Sequence, residues 1–582
     1  MTTVGLLGEG VAMEAVRAAL ADTDAGAVAV DPAGVGSCDV AVAVGPSGGE
    51  DAGEGFLERA GAQARKTHTP LVAVELGGVG GQPVEGVSAS ASGHAPGTAC
   101  RACLRERVAA ADPATDDGDC EAAAARFAGA VAGRELATLV GGGESALVGG
   151  VIEVPHARRR VLPVPYCECG AGDAEGGAGV EAGSGDGDAG VPRHHEARSL
   201  EESLSLAEVA FDERVGPISA IGEAESFPVP YYLATLAATP FSDADAPDHA
   251  AGVGIDWDPA FMKALGEALE RYSAAVYRER AFETDPAAPI RPDRFVAPEG
   301  TDPEVTRWCG GEHLPTGDRV QLPAELVVFP PPERTIRPAI TTGLGLGNGG
   351  VGALLSGLYE VLERDATMLS WYSTYEPMGL AVDDEGYRTL ENRAKSEGLE
   401  TTALVCTQDV DVPVVAACVH REGEWPRFAA GSAADLDPEA AARDALAEAL
   451  QNWLELRRMG ETRADEERGA IGTHAAFPES TRAFVDPATT VPAAEIGPSE
   501  PPTGAAELDA LVGRVDDAGL DTYASRITPR DVESMGFEAV RVLIPSAQPL
   551  FTGDPYFGER SRRVPESLGF EPDLDREYHP FP

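Results

Sequence analysis

Two predicted helices carry the same short motif, and this repeat constrains the fold more than any other feature of the sequence. The segments AFMKALGEALERYSAAVYRER and VGALLSGLYEVLERDATMLSWY both contain E-x-x-E-R, as Glu267, Glu270 and Arg271 and as Glu360, Glu363 and Arg364. Residues i and i+3 share one helix face, so each helix presents two carboxylates together. An isolated motif of this kind is usually a solvated face. Here the flanking residues are mostly apolar, which predicts that the carboxylates lie beside a core and meet cations there.

Clustered glutamates on two helices indicate a site for a hard cation. Mg²⁺ prefers oxygen ligands and keeps phosphate oxygens bound, and arginines hold phosphates through paired hydrogen bonds. A third predicted helix, DPEAAARDALAEALQNWLELRR, adds Arg443, Glu448 and Gln451. The glycine-rich segment 341–350, TTGLGLGNGG, precedes the second helix and contains Asn348, which is suited to ligate or orient. It lacks G-x-x-x-x-G-K-[ST], so it is no Walker P-loop.

The first part of the chain alternates Val-rich runs with helical patterns. VGLLG leads into Gly8-Glu9-Gly10 and the helical VAMEAVRAAL, and AVAVDP, CDVAVAVG and TPLVAVELGG follow. This alternation predicts a parallel α/β sheet of Rossmann type. The dinucleotide fingerprint is incomplete, because neither Met13 nor Glu14 supplies its third glycine. We therefore expect the fold without NAD binding. Residues 122–140 predict one long helix, and GGVIEVPHARRRVLPVP predicts two short strands.

A composition change divides the chain. Residues 170–191 are rich in Gly, Ala and Asp without apolar periodicity, which predicts a flexible linker. We predict an α/β domain at 1–169, an acidic Gly-rich linker at 170–200 and a mixed α+β domain at 201–582. The helix LEESLSLAEVAFDERVG opens the second domain. Its β-like runs are LVVFP, ALVCTQ, VPVVAACVH and AVRVLIP, and the final EYHPFP is extended.

Two close cysteine pairs predict a metal site in the first domain. Cys100 and Cys103 form one pair, and Cys167 and Cys169 form the other. Four thiolates suit tetrahedral Zn²⁺, and a closed four-cysteine site is structural. Free cysteines in turns, or a redox C-x-x-C, are the alternatives. The other five cysteines are expected to be small apolar residues.

The charge excludes several function classes. Asp+Glu 96 against Lys+Arg 45 gives a net charge of −51, spread along the whole chain. We therefore expect no nucleic-acid binding through a basic surface and no docking on anionic membranes. Dispersed carboxylates with only three lysines, Lys66, Lys263 and Lys395, favour a halophile's protein over a mimic of an acidic partner. No secretory signal or membrane span is visible, so we expect a cytoplasmic protein.

Four ordered segments resemble one family. GEALERYS, GLGLGNGGVGALLSGLYEVLERDA, LDPEAAARDALAEALQ and the terminal HPFP are similar to segments of the YcaO family, a resemblance that covers roughly 201–582. The first domain resembles the E1-like, zinc-binding partner of azoline-forming cyclodehydratases, which is sometimes fused ahead of YcaO and binds a leader peptide. The resemblance implies ATP-dependent activation of a peptide backbone amide, giving an azoline or a thioamide in a ribosomal peptide or protein.

The resemblance also implies site residues. Glu267, Glu270, Glu360 and Glu363 would be the Mg²⁺–ATP carboxylates, and Asn348 another metal or phosphate ligand. Arg271, Arg364 and Arg443 would contact phosphates or hold the carboxylates, and Glu448 and Gln451 would line the nucleotide pocket. The C-terminal carboxylate of Pro582 would approach the reacting centre as a catalytic group. A flavin-dependent dehydrogenase partner and a homodimer are further expectations from the family.

The sequence departs from the family at several positions. The usual G-K-G turn is Gly252-Val253-Gly254, and a serine expected on the following helix is Lys263, which would replace the lost charge. The acidic residue four positions after Asn348 is Gly352, and the usual P-x-P-x-P tail lacks its first proline. A peptide-binding adaptor without ATP turnover is therefore the alternative function. A third possibility is an enzyme that acts on a large folded protein.

Overall fold

The structure is a computed structural model that describes residues 2–47, 55–170, 190–466 and 470–581. Its strands form one seven-stranded sheet in the first domain, and one three-stranded and two five-stranded sheets in the second. The predicted class, a Rossmann-like α/β domain followed by a mixed α+β domain, is confirmed. Most of the predicted linker, 171–189, and Pro582 lie outside the described residues.

The first sheet has the order β2-β1-β3-β4-β5-β6-β7, parallel through β4 and antiparallel beyond it. Its strands are β1 (Thr3–Leu7), β2 (Gly26–Ala29), β3 (Val40–Pro46), β4 (Leu71–Leu76), β5 (Ala89–His94), β6 (Gly150–Val154) and β7 (Ala157–Arg160). The helices are α1 (Val11–Leu20), α2 (Phe56–Thr67), α3 (Arg101–Ala110) and α4 (Ala122–Val140). The helix predicted over 122–140 is thus confirmed.

Glycine sets the turn between β1 and α1. Gly8 has a φ of +99°, and a Cβ there would lie 2.2 Å from the carbonyl oxygen of Val44 on the neighbouring β3. The predicted strand-to-helix turn at Gly8 and Gly10 is therefore confirmed. Gly129 of α4 packs directly on α1, since a Cβ there would lie 2.2 Å from the carbonyl oxygen of Ala12.

Three sheets build the second domain, in the orders β10-β9-β8, β12-β11-β19-β20-β13 and β17-β16-β15-β14-β18. Their strands are β8 (Ile218–Glu225), β9 (Tyr231–Leu236), β10 (His249–Val253), β11 (Trp308–His313), β12 (Arg319–Pro323), β13 (Leu344–Gly347), β14 (Met378–Ala381), β15 (Glu400–Val405), β16 (Val414–His420), β17 (Phe428–Ala434), β18 (Thr490–Pro492), β19 (Tyr523–Arg526) and β20 (Glu538–Leu543).

Its helices differ greatly in length, and two of the three longest, α6 and α8, carry the E-x-x-E-R motifs. They are α5 (Leu200–Ala207), α6 (Trp257–Ala275), α7 (Ala324–Val327), α8 (Gly350–Trp371), α9 (Glu385–Ser396), α10 (Pro438–Met459), α11 (Glu461–Ala464), α12 (Ile471–Ala475), α13 (Glu479–Phe484), α14 (Ala505–Asp517), α15 (Arg530–Ser534) and α16 (Arg560–Leu568). Short 3₁₀ turns lie at Pro32–Ser37, Glu168–Gly170, Glu208–Ala210, Glu279–Ala281, Pro292–Arg294 and Ala493–Glu495.

Two local predictions for the second domain need correction. LVVFP is not a strand, because Leu326 and Val327 end the short helix α7 and are buried in the core beside β12. The helix predicted from LEESLSLAEVAFDERVG stops at Ala207, after which a 3₁₀ turn and a β-bridge at Phe211 follow. The β-like runs at 403–408, 412–420 and 539–545 do overlap β15, β16 and β20.

The two predicted domains share a hydrophobic core. Cys103 and Leu104 of α3 are fully buried in one cluster with Leu265, Leu269 and Tyr272 of α6. The helix that carries the first E-x-x-E-R motif therefore packs partly on the first domain, and it also packs on β9 and β10 of the second.

Candidate functional site

Three strand–helix pairs bring the glutamates together. The helices α6, α8 and α10 pack closely on β10, β13 and β17, because each strand has a glycine at the contact. A Cβ at Gly252 would lie 2.2 Å from the amide nitrogen of Ala264, and one at Gly345 would lie 2.2 Å from the carbonyl oxygen of Ala353. At Gly431 it would lie 2.4 Å from the amide nitrogen of Ala449. The repeated motif seen in the sequence is thus part of a repeated local arrangement.

Helix α6 supplies Glu267 and Glu270, as predicted. Glu267 accepts a hydrogen bond of 3.0 Å from the backbone amide of Ala251 and forms an ion pair with Arg271. Burial raises the pKa of Glu267. Burial, together with repulsion from Glu360 and Glu267, raises the pKa of Glu270 to about 8. Two carboxylates on one helix are therefore held where water does not fully stabilise their charge.

Helix α8 supplies the second pair. Glu360 accepts a hydrogen bond of 2.9 Å from the amide of Gly343, and Glu363 accepts one of 2.7 Å from Oγ of Ser432. Glu363 is only 9% exposed. Burial, with repulsion from Glu448 and Glu360, raises its pKa to about 8. Since Glu360 also raises the pKa of Glu270, the glutamates of α6 and α8 form one electrostatic cluster.

Helix α10 completes the cluster and adds a residue that the sequence analysis missed. Glu448 accepts a hydrogen bond of 2.7 Å from the amide of Ser432. Gln451 donates to Glu455, which also accepts a hydrogen bond from the Tyr231 hydroxyl, both at 3.0 Å. Glu455 contributes to the raised pKa of Glu267. The spacing of Glu448, Gln451 and Glu455 by three and four residues was a signal that could have found it.

The predicted cations do not all reach this cluster. Nε of Arg364 lies 3.6 Å from Glu363, and its Nη2 lies 3.8 Å from Glu448. Arg271 pairs with Glu267 and donates to the carbonyl of His249. Arg443 instead pairs with Asp384 at 3.3 Å, at the start of α9. Its predicted role stays a prediction.

Asn348 lies at the start of α8 and contacts helix α5. Its Nδ2 donates to Oγ of Ser203 at 2.9 Å. The described end of the predicted linker also lies there, because the amide of Val351 donates to the carbonyl of His194. Asn348 is therefore held by α5, and its predicted contact with a metal or phosphate stays a prediction.

The structure shows the surroundings of the three positions at which the sequence departs from the family. Val253 is 2% exposed in an apolar core, so the charge of the expected lysine is missing there. Lys263 is exposed one turn before Glu267, and its ammonium favours the ionised form of that glutamate. A Cβ at Gly352 would meet only the Cα of Gly347, at 3.6 Å, so the backbone there leaves room for a side chain. The glycine at position 352 therefore lacks the carboxylate that the family usually has there, and it leaves the space for a side chain open.

The C-terminal tail is buried behind α8. Nε1 of Trp371 donates to the carbonyl of Glu577, and the amide of His579 donates to the hydroxyl of Tyr372. The charge of Arg364 lowers the pKa of His579, which places this part of the tail near the carboxylate cluster. Pro582 itself lies outside the described residues, so its predicted catalytic role stays a prediction.

The four predicted cysteines do come together. The Sγ atoms of Cys100 and Cys103 are 3.8 Å apart, those of Cys100 and Cys167 3.6 Å, and those of Cys103 and Cys169 3.5 Å. All four lie within 4.8 Å of one another. Bonds of about 2.3 Å to a tetrahedral zinc would space the sulfurs by about 3.8 Å, so the cluster fits the ion. Nη1 of Arg530 donates to Sγ of Cys169 at 3.3 Å, which links the cluster to the second domain.

The large site therefore has the chemistry of a centre for metal-bound polyphosphate. Clustered carboxylates, of which Glu363 is buried and the others are half-buried, fit Mg²⁺, whose charge would stabilise their ionised forms. The comparisons with known proteins agree with this class. The family model described as YcaO cyclodehydratase, ATP- and Mg²⁺-binding, matches residues 251–548.

The chain belongs to the YcaO family. An uncharacterised protein of Methanothermobacter thermautotrophicus is 30% identical over 342 residues, which are 55% of this chain and 85% of that protein. A solved heterocyclase in complex with substrate and cofactor has a TM-score of 0.73 at 18% identity, covering 100% of this chain and 85% of its own. The heterocyclase TruD has a TM-score of 0.61 at 17% identity, covering 97% and 81%. These two likenesses show the fold.

The family settles the class of activity. The chain is an ATP-dependent enzyme of the cyclodehydratase type, and it binds ATP and Mg²⁺. The sequence-based expectation of the family and of these two ligands is therefore confirmed. The part of the chain that the structure describes has no helix long and apolar enough to cross a membrane.

Proposed function

We propose that this protein uses ATP to phosphorylate a backbone amide oxygen in a ribosomal precursor peptide or protein. The single observation that carries the proposal is the carboxylate cluster of α6, α8 and α10, with Arg364 beside it. A related fold is described in complex with a substrate and a cofactor, which supports a similar use here.

Each element of the cluster has a distinct role in this proposal. Glu267, Glu270, Glu360, Glu363 and Glu448 would hold Mg²⁺ and, through it, the triphosphate. Mg²⁺ supplies charge neutralisation for the phosphoryl transfer. Ser432 orients two of these carboxylates, because its Oγ donates to Glu363 and its amide donates to Glu448. Arg364 and Arg271 offset the remaining negative charge.

The proposed reaction balances without any redox step. A Cys, Ser or Thr side chain of the substrate, or external sulfide, adds to the amide carbonyl and gives up its proton. The resulting oxyanion attacks the γ-phosphorus of ATP, and ADP leaves with the electron pair of the broken P–O bond. The carbon–oxygen bond then breaks and phosphate leaves with its electrons. With a side-chain nucleophile, the amide nitrogen loses its proton and an azoline C=N bond forms.

External sulfide as the nucleophile gives a thioamide instead. Both products remain open for this chain. Mass spectrometry separates them, since an azoline has lost one water and a thioamide has exchanged oxygen for sulfur. A flavin-dependent dehydrogenase would act as a partner only after an azoline has formed.

The first domain would present the peptide, as in the E1-like partners that it resembles, with Zn²⁺ bound by Cys100, Cys103, Cys167 and Cys169. The sulfur spacing supports the metal. The shared core of α3 and α6 supports a fixed position of this domain beside the nucleotide site. A homodimer and an intracellular location are further parts of the proposal, taken from the family and from the charge.

A calorimetric titration of Mg²⁺–ATP in multimolar KCl tests the proposal. We expect the wild type to bind and Glu363→Gln to bind about tenfold more weakly or worse, because the variant keeps the hydrogen bond to Ser432 but loses a charge. The matched control is Asp509→Asn, an exposed carboxylate on α14, which should bind as the wild type does.

Two results would contradict the proposed site. Equal affinity of the wild type and Glu363→Gln would place the nucleotide elsewhere. No binding by folded wild-type protein would favour the adaptor function, with Gly352 and Val253 as marks of a lost site. Turnover on a candidate precursor peptide rich in Cys, Ser or Thr then separates an enzyme from a binding protein.

A further inference from the structure

An arginine-lined cavity lies beside the carboxylate cluster. It is a half-open cleft with about 300 Å³ of empty space, solvent at its mouth included, and Arg337, Arg364, Thr342 and Gln548 contribute its polar lining. Val361 and Arg364 border it from α8, one turn from each other. Because Arg364 also contacts Glu363 and Glu448, the cavity adjoins the site proposed for the triphosphate.

Arg337 at this cavity has a donor that the described residues leave unused. Nε of Arg337 has no hydrogen-bond partner among the described residues. Glu325, whose charge acts on Arg337, is already engaged. Its Oε1 accepts from the amide of Ile336 at 2.7 Å, and its Oε2 accepts from the amide of Thr335 at 2.5 Å. Glu325 therefore holds the segment that leads to Arg337.

A fully buried arginine lies close enough to Arg337 for their charges to interact. Arg541 is 2% exposed, and its two Nη atoms donate to the carbonyls of Ile340 and Thr341 at 2.8 Å each. Its Nε has no partner in the described part of the chain. Burial and repulsion from Arg337 lower the pKa of Arg541 to about 9, although Glu360 and Glu270 oppose this. The two guanidinium groups thus repel each other, and the charges of Glu325, Glu360 and Glu270 do not fully offset this repulsion and the burial.

A buried hydroxyl completes the set of unused donors. Tyr556 is 5% exposed, and its Oη has no partner among the residues that the structure describes. The backbone carbonyl of Tyr556 accepts a hydrogen bond of 3.0 Å from Gln548, which lines the cavity. Burial raises the pKa of the Tyr556 phenol, and the charge of Arg337 acts in the opposite direction. Buried donors without partners are costly, so such a group of them indicates a bound acceptor.

We infer that this cavity receives a tetrahedral phosphoryl group after it has left ATP, with Arg337 as its principal ligand. The inference rests on the proposed function. In that reaction the carbon–oxygen bond to the phosphorylated amide oxygen breaks, phosphate keeps the electron pair, and the amide nitrogen loses its proton as C=N forms. Guanidinium groups at the departing oxygens stabilise the charge that develops there. Arg364 touches both regions, so it connects the triphosphate site with the site of departure.

Separate titrations of orthophosphate and Mg²⁺–ATP test the inference on the full chain. We expect the wild type to bind phosphate in the absence of nucleotide and Arg337→Gln to bind it about tenfold more weakly. The ATP affinity of Arg337→Gln should stay within about twofold of the wild type. Glu363→Gln should show the opposite pattern, with phosphate binding kept and ATP binding lost. The control is Arg334→Gln, an exposed arginine three residues earlier, which should change neither affinity.

The outcomes separate this inference from the proposed function. Failure of the wild type to bind ATP contradicts the proposed function whatever phosphate does. Phosphate binding that is absent from the wild type, or equal in Arg337→Gln, overturns the inference. A parallel loss of ATP affinity in Arg337→Gln also overturns it, because the cavity would then hold the γ-phosphoryl group before transfer. If Arg337→Gln does not fold, Arg337→Lys is used, and undiminished phosphate binding by that variant overturns the inference.

Discussion

At the scale of single residues, the histidine in the C-terminal tail is held neutral. His579 is 3% exposed, and its ring Nε2 lies 2.8 Å from the carbonyl oxygen of Phe551. Burial, together with the charges of Arg364 on α8 and His474 on α12, lowers its pKa from 6.5 to about 4. A native pKa below the unfolded value means that the unfolded chain takes up the proton first as the pH falls. The tail should therefore loosen in acid.

We predict that the free energy of unfolding falls by about 2 kcal/mol between about pH 7.5 and about pH 5 because of His579. Urea unfolding in multimolar KCl, followed by tryptophan fluorescence, measures this, since Trp371 contacts Phe581 and His474 of the same region. In His579→Gln, the decrease in the free energy of unfolding over this pH range should be smaller by about 2 kcal/mol. His156→Gln, at an exposed histidine, should leave it unchanged. An identical pH dependence in all three proteins would contradict the prediction.

At the scale of elements, α6 connects the cysteine cluster to the carboxylates. Arg107 of α3 pairs with Asp531 of α15, and the Tyr272 hydroxyl of α6 donates to the same carboxylate at 2.5 Å. Arg107 and Asp531 are 2% and 0% exposed. Removing one partner of a buried pair costs about 3–5 kcal/mol, since the other charge is left without compensation. Because α3 also contains Cys103, the position of α6 depends on an intact cluster.

We predict that the four cysteines hold Zn²⁺ and that its removal weakens the distant ATP site. Stripping with a chelator, or Cys103→Ala, should lower the melting temperature and reduce the Mg²⁺–ATP affinity several-fold, because α6 is no longer held on α3. Cys120→Ala, at a half-buried cysteine outside the cluster, is the matched control. Elemental analysis should find about one zinc per chain in the control and none in Cys103→Ala. Unchanged ATP affinity in zinc-free protein would disprove the coupling.

The elements also show what the sequence could and could not predict. The E-x-x-E-R repeat predicted α6 and α8 and their shared glutamates, because helical spacing is a local property. LVVFP was wrongly predicted as a strand, since its Val-rich composition favours β structure while tertiary burial stabilises the short helix α7. The sequence separation of Arg337 and Arg541 matches no helix or strand period. Their segments come together through the pairing of β13 with β20, which is a tertiary contact. Arg443 lies in the predicted helix but pairs with Asp384, a contact that no local pattern encodes.

At the scale of the whole molecule, the net charge of −51 must be balanced by salt. At an ionic strength of about 1 M the Debye length is about 3 Å, so repulsion between most surface carboxylates is screened. In dilute salt the same repulsion acts across the surface and opposes the compact state. Asp516 and Asp517 are a local example of this repulsion between carboxylates. They are exposed and adjacent at the C-terminal end of α14, where the helix dipole disfavours negative charge.

We predict that the melting temperature rises steeply with KCl and that the double variant Asp516→Asn, Asp517→Asn flattens this rise. The variant should be more stable than the wild type in about 0.1 M KCl, where repulsion is strong, and nearly equal in about 3 M KCl, where it is screened. Sucrose strengthens burial without screening charge, so it should stabilise both proteins equally in dilute salt. If sucrose replaced KCl fully, or if the variant gained as much in high salt as in low, preferential exclusion rather than charge screening would govern the stability. The acidic surface would then give no ground for proposing a saline habitat.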